Sequence, residues 1–282
     1  MLLIADSGAS KTSWAYQNMN KKWINYETLG LNPYTRPEAE ITNIIKEVAQ
    51  KFPSVQEIFF YGAGCVNKEN KNLIKNICES QFLTLQKIEI DNDLMGAAKA
   101  LCGNQKGNIA ILGTGSNLAY FDGKNLYGEE FNLGYILGDE GSGAYLGKQL
   151  LKMFLHQKLP LSIHEKLLIE NPTLHRDFIL QNIYKQPNPN RFLAKFTTFI
   201  KENIENEVIK NIVIQSFDQF LQTYLPLLPV ESQKFSIHFV GSIAFYFQEE
   251  LKMAVDNVNY KIGKILKNPI EGLKEFHLRF YT

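Results

Sequence analysis

The chain has 282 residues, 45% of them hydrophobic and 21% charged, with a formal net charge of +1. This length predicts one large domain or two lobes with ample core, and the near-neutral charge excludes both the basic field of a nucleic-acid binder and an acidic solvating tail. Three cysteines, Cys65, Cys78 and Cys102, are odd in number and lack CxxC spacing. They read as reduced thiols of a cytoplasmic protein and not as a disulfide framework or a complete metal site. The opening Met1-Leu2-Leu3-Ile4-Ala5 meets Asp6 at once, so neither a signal peptide nor a membrane span is expected.

Leu2-Leu3-Ile4-Ala5 is a continuous apolar run, the mark of a strand covered on both faces. It ends in Asp6-Ser7-Gly8-Ala9-Ser10-Lys11-Thr12 before Trp14-Ala15-Tyr16 resumes strand character. Asp6 at such a strand end suits a hydrated Mg²⁺, and Ser10, Lys11 and Thr12 suit phosphate oxygens; a hairpin with a polar tip reads equally well. Leu29-Gly30-Leu31-Asn32-Pro33 follows a third strand, and Asn32 can bond a ligand hydroxyl or its own backbone. Ile41, Ile44, Ile45 and Val48 predict a helix over 37–51, Ile58–Tyr61 a buried strand ending in Gly62-Ala63-Gly64, Glu69–Phe82 a helix, and Ile88–Ile90 a strand.

That strand delivers Asp91-Asn92-Asp93 to a helix whose stripe is Leu94, Ala97, Ala98 and Leu101. A carboxylate there is held ionised by the helix dipole and suits a group that must accept a proton from a substrate hydroxyl. All three residues are eligible N-caps, and one can cap while another does chemistry. The polar segment 102–108 reads as the boundary between lobes.

Residues 107–143 carry the densest chemistry. Ile109–Leu112 is a strand stopped by Gly113-Thr114-Gly115-Ser116-Asn117, with Leu118–Phe121 as the returning strand, so turn N–H groups and hydroxyls can face an anion. Gly138-Asp139-Glu140-Gly141-Ser142-Gly143 then places two carboxylates at the start of a helix over 144–155. Residues 144–228 are mostly helical, broken at Pro160, Pro172 and the Pro187–Asn190 turn, and show no chemical motif. Lys234–Val240 reads as a strand ending in Gly241-Ser242, Ile243–Met253 as a helix, and Ile270–His277 as a short closing helix.

The ordered set of Asp6–Thr12, Asp93, Leu112–Asn117, Gly138–Ser142 and Val240–Ser242 resembles the BadF/BadG-type ATPases. It is most similar to the eukaryotic-like N-acetylglucosamine kinases of the actin/hexokinase/Hsp70 superfamily. The resemblance implies an α/β protein of two actin-like, ribonuclease H-like lobes with mixed β-sheets flanked by helices around a nucleotide cleft. The lobes would span 1–103 and 104–269, with a last helix over about 270–282 returning to the first. The activity implied is ATP-dependent, Mg²⁺-requiring phosphorylation of a small-molecule amino sugar, N-acetylglucosamine at its 6-hydroxyl in the first instance. Asp93 would be the base; Asn32, Gly64, Ser116, Asn117, Asp139 and Glu140 would face the sugar. Gly8, Ser10, Lys11, Thr12, Gly113, Thr114 and Gly115 would face phosphates, Gly241 and Ser242 the adenosine, and Asp6 the metal through water. The superfamily also admits a homodimer, and neither nucleic acid nor a membrane is implied.

Two departures stand out. The first motif carries a single Gly8 where the family has more glycine, and Leu133 precedes Gly134 where the N-acetylglucosamine kinases commonly have tryptophan. Two other readings share the motifs: an ATPase activator of a radical dehydratase, which needs cysteines for an iron–sulfur cluster, and a non-catalytic sugar or nucleotide sensor. A structural protein of actin type fits less well, because the chain is short and shows no filament-forming insertion.

Overall fold

The computed structural model describes residues 1–280; of the closing helix expected over about 270–282, residues 281 and 282 lie outside the described residues. The chain divides into two compact units, Met1–Gln105 joined by the chain from Asn268 onward, and Lys106–Lys267.

The first unit runs β1 (Leu2–Ser7), β2 (Lys11–Gln17), β3 (Trp23–Leu29), α1 (Glu38–Lys51), β4 (Glu57–Gly62), α2 (Lys68–Gln81), β5 (Lys87–Asn92) and α3 (Asp93–Cys102). Its strands form one mixed sheet in the order β3-β2-β1-β4-β5, antiparallel from β1 to β3 and parallel from β1 to β5. The apolar run of β1 is split by the strand's period of two. Leu3 and Ala5 join Ile58 and Phe60 on the face covered by Ile41, Ile45 and Val48 of α1 and Ile74 and Ile77 of α2. Ile4, with Phe59 and Tyr61, faces the opposite layer. Burial on both faces is why β1 and β4 read as unbroken apolar runs and not as alternating ones.

The second unit runs β6 (Gly107–Leu112), β7 (Ser116–Phe121), β8 (Leu126–Tyr127), α4 (Gly134–Leu137), α5 (Gly143–Leu155), α6 (Leu161–Glu170), α7 (Arg176–Tyr184), α8 (Pro189–Ala194), α9 (Thr197–Glu202), α10 (Glu207–Tyr224), β9 (Ile237–Val240), α11 (Ser242–Tyr246), α12 (Gln248–Asn257) and β10 (Ile262–Leu266). Its sheet has the order β8-β7-β6-β9-β10. With β6 in the place of β1, this repeats the first unit's order, with antiparallel pairs on one side and parallel pairs on the other. Two mixed sheets of one topology, each flanked by helices, make the α/β actin-like architecture that the motifs imply. The long α10 buries Ile209, Val213, Phe217 and Phe220 in the core of this unit.

The closing helix α13 (Ile270–Phe280) belongs to the first unit, where Ile270 and Leu273 pack with Ile4 and Phe59. The buried His277 Nε2 meets the Tyr61 hydroxyl at 3.0 Å, and burial holds its imidazole down to about 3, so it stays neutral.

The short β8, α4 and β10 have no counterpart in the sequence reading, and other elements differ from it in extent. The strand expected over 234–240 is confined to Ile237–Val240, because Val230–Lys234 winds as a 3₁₀ turn. The single helix expected over 243–253 is broken at Phe247, whose backbone leaves helical geometry (φ −118°, ψ 40°) while its ring stays buried. Ile243, Phe247, Leu251 and Val255 keep a four-residue spacing across that break, so periodicity alone cannot reveal it. The last helix runs to Phe280, past the pattern read over Ile270–His277 and within the span of about 270–282 that the resemblance implies.

Candidate functional site

In the first unit the turn after β1 is tied down by its own hydroxyls. Ser7 Oγ lies 2.8 Å from Thr12 Oγ1, accepts from the Leu31 N–H at 2.9 Å, and Thr12 Oγ1 donates to the Leu29 carbonyl at 3.1 Å. The Gly8 N–H donates to the Lys11 carbonyl at 2.9 Å, and the Gly30 N–H to the Ser10 carbonyl at 3.1 Å. Thr12, expected as a phosphate contact, is fully buried, and its hydroxyl serves the turn instead. Lys11 is exposed and paired with Glu27 at 2.6 Å.

Asp6 sits one residue before that turn, partly buried, in register with Ser13 on β2 and Tyr61 on β4. Burial pushes its carboxyl up to about 7, the Asp93 charge adds to this, and Lys11 opposes it. Asp93 is the first residue of α3, while the N-cap is Asn92, whose Oδ1 accepts from the Met95 N–H at 2.8 Å. Asp91 is held by Lys71 at 3.0 Å and Lys99 at 3.7 Å. The three polar residues therefore divide their tasks: Asp91 pairs, Asn92 caps, and Asp93 faces Asp6 electrostatically.

Asn32 and Gly64 are brought together on separate loops. Gly64 has φ +84°, and a Cβ there would fall 2.3 Å from Asn32 Oδ1, so only glycine admits the approach. Asn32 Oδ1 accepts from the Tyr34 N–H at 2.9 Å, and Asn70 Nδ2 donates to the Gly64 carbonyl at 2.8 Å.

In the second unit the β6–β7 turn meets the Asp139 turn. The Gly143 and Ala144 N–H groups, at the start of α5, donate to the Gly113 and Thr114 carbonyls at 2.8 and 3.1 Å. Ser142 caps α5 by accepting from the Tyr145 N–H. Asp139 is buried and left-handed at φ +59°, and its Oδ1 accepts from the Ser116 N–H at 3.0 Å. A Cβ on Gly115 would lie 3.0 Å from Asp139 Oδ2, so the carboxylate rests directly on the Gly115 backbone. Burial raises the Asp139 carboxyl above its usual range, against the Ser116 and Asn132 donors that lower it. Glu140 accepts from the Tyr224 hydroxyl at 3.1 Å, and burial followed by the Glu140 charge holds that phenol protonated. Asn117 Oδ1 accepts from the adjacent Leu118 N–H. Ser116 Oγ is buried with no hydrogen-bond partner in the protein, an acceptor and donor left for something else.

The Gly241 turn lies against the same β6 end. Gly241 has φ +123°, its N–H donates to the Leu266 carbonyl at 3.0 Å, and a Cβ on it would meet the Leu112 carbonyl oxygen at 2.2 Å. Ser242 opens α11 and is exposed.

Comparison with known proteins decides the family. A crystal structure from Porphyromonas gingivalis, described as that of a candidate N-acetylglucosamine kinase, matches 100% of this chain and 100% of its own at 35% identity with a TM-score of 0.93. The chain belongs to the N-acetylglucosamine kinase family of actin-like ATPases. A curated relative from Clostridium acetobutylicum, an N-acetylmuramic acid/N-acetylglucosamine kinase, is 25% identical over 93% of this chain and 92% of its own. A second solved structure, from Chromobacterium violaceum and described in the same terms as the first, shares the fold at 17% identity and a TM-score of 0.72 over 98% of both chains. No family model matches the chain.

Set against the family motifs, two residues of this site escaped the sequence reading. Asn132 bridges Ser116 and Asp139, and Tyr224 holds Glu140. Asn132 stands among apolar residues in a loop, and Tyr224 ends a helix whose pattern reads as core, so neither carries a local signal. Leu133, in place of the family's tryptophan, is 62% exposed. Cys65 and Cys78 are buried in the core of the first unit. Burial, with Asp93 second, pushes the Cys65 thiol up to about 12, and burial raises Cys78 as well, so both are protonated in the metal-free fold. No helix among the described residues is long and apolar enough to cross a membrane.

Asp6 gives a pH-dependent expectation. Its carboxyl moves from 3.8 to about 7 on folding, so between those values the fold keeps a proton that the unfolded chain has lost. Its contribution to stability is therefore full at acid pH, declines as pH rises from about 4 to about 7, and is flat above that. In metal-free buffer the melting temperature of Asp6→Asn is expected to gain on that of wild type as pH rises from about 5 to about 8. Parallel curves would contradict the shift.

Proposed function

We propose that this protein transfers the γ-phosphoryl group of ATP to the 6-hydroxyl of an amino sugar, N-acetylglucosamine first, with Asp93 as general base. The observation that carries this reading is the placement of Asp93 on the first turn of α3, where Asn92 has taken over capping and the Asp6 carboxylate is close enough to be raised by its charge. The helix dipole favours the ionised base, and a carboxylate within its electrostatic reach suits a cation held largely by water and phosphate.

In this reading the sugar O6–H proton passes to an Asp93 carboxylate oxygen as O6 bonds to the γ-phosphorus, and the β–γ bridging oxygen leaves with ADP. Asp139, Ser116, Asn117, Asn32, Gly64 and Glu140 orient the sugar, and the unpartnered Ser116 Oγ suits one of its hydroxyls. The turns around Gly8–Lys11 and Gly113–Gly115 would contact phosphates, and Gly241 with Ser242 would contact the nucleoside. Asp6 would hold Mg²⁺ through water, and the cation would neutralise phosphate charge in the transition state. Most of the rate then comes from positioning and charge, with proton removal by Asp93 added to it.

Steady-state ADP release with Mg-ATP should be measured against N-acetylglucosamine, glucosamine, N-acetylmannosamine, N-acetylmuramic acid, glucose and buffer alone. The reading predicts turnover with N-acetylglucosamine well above buffer, and the Clostridium relative's name makes N-acetylmuramic acid the comparison of most interest. ADP release that ignores every sugar would remove the kinase reading.

A further inference from the structure

Asp139 occupies a backbone region that costs a non-glycine residue energy, and such a conformation persists only where neighbours over-determine it. Two donors reach the Asp139 carboxylate: the Ser116 N–H at 3.0 Å and, from a separate loop, the side chain of Asn132. Its Nδ2 donates both to the Ser116 carbonyl and, at 3.4 Å, to Asp139 Oδ1, while its Oδ1 accepts from the Gly134 N–H at 3.0 Å. One amide side chain thus joins the loop before α4 to the start of β7 and to the Asp139 carboxylate.

With the Ser116 N–H also on Oδ1, that oxygen's acceptor positions are filled. Oδ2, lying over Gly115, is the oxygen left to receive a further donor. We propose that Asn132 is a positioning residue for sugar binding: it fixes the Asp139 carboxylate by its Oδ1 so that Oδ2 meets a hydroxyl of the sugar. The inference rests on the sugar-kinase reading and extends it to a residue outside its motifs.

The geometry requires a donor at position 132. Asparagine supplies two N–H bonds and one acceptor; aspartate has the same shape and keeps the bond from Gly134 N–H but can donate nothing, and it sets a second carboxylate against Asp139. The test is steady-state kinetics of wild type, Asn132→Ala and Asn132→Asp, with sugar and ATP varied separately and melting temperatures recorded. Loss of a hydrogen bond to a charged group predicts a rise of about 10- to 100-fold in KM for the sugar in both variants. KM for ATP should stay within about twofold, the signature of lost sugar binding and not of general damage. Should Asn132→Ala fold poorly, the isosteric Asn132→Asp still gives the reading.

Wild-type sugar KM in Asn132→Asp would overturn the inference while leaving the kinase reading intact. So would a parallel rise in both KM values with a collapsed melting temperature. A wild-type protein without sugar-dependent turnover would overturn both.

Discussion

Asp93→Asn is expected to lower kcat by about 10²- to 10⁴-fold, the range for removing a positioned general base. The fold should hardly notice. Asn92, not Asp93, caps α3, and the helix is anchored by Leu94, Ala97, Ala98 and Leu101, all buried. Asparagine keeps the size and one oxygen of the side chain, including an acceptor for the Leu94 N–H that Asp93 Oδ1 now takes at 3.0 Å. The substitution also removes the negative charge that helps to raise Asp6, so the Asp6 carboxyl should titrate lower in the variant. Melting curves and kcat measured together separate the two effects. A kcat within about threefold of wild type, in a protein of unchanged melting temperature, would take Asp93 out of the mechanism.

The second large effect is expected at Gly241. Its φ of +123° lies where a side chain is strained, and a Cβ would stand 2.2 Å from the Leu112 carbonyl oxygen and 3.2 Å from the Gly113 nitrogen. Leu112 closes β6 and Gly113 opens the turn assigned to phosphate, so alanine must push two turns apart. Backbone strain of about 1–3 kcal/mol together with a comparable cost of overpacking predicts a melting temperature lower by roughly 5–15 °C. KM for ATP should rise in the fraction that folds, with KM for the sugar less affected. Ser242→Ala, an exposed change with no such clash, is the control and should melt within about a degree of wild type. A Gly241→Ala protein as stable as that control would show that the turn can relax.

The elements legible in the sequence are those in which local pattern and tertiary role agree. Leu3–Ala5 and Ile58–Tyr61 are apolar throughout because the strands are covered on both faces, and Ile41, Ile45 and Val48 mark the inner face of α1. Local pattern does not show the duplicated sheet order, which only the resemblance implies, because its second copy ends in β8, only two residues long, and in β10, whose Ile262-Gly263-Lys264-Ile265-Leu266 is partly exposed at the sheet edge. Glycines between strands pointed to the turns, but which hydroxyl of Ser7, Ser10 and Thr12 turns inward depends on contacts with Leu29 and Leu31, which no local pattern encodes. For the same reason nothing in the sequence around Asn132 singles it out. Its importance comes from partners on β7 and at Asp139, which only the folded chain supplies.

The proposed reaction sends the phosphoryl group to a sugar hydroxyl and not to water. It is tested most directly by phosphorus NMR of the products formed by the wild-type protein from Mg-ATP and N-acetylglucosamine. The expected products are ADP and a phosphate monoester whose phosphorus couples to the two C6 protons of the sugar. ADP accompanied only by inorganic phosphate, in the presence and absence of sugar alike, would contradict it.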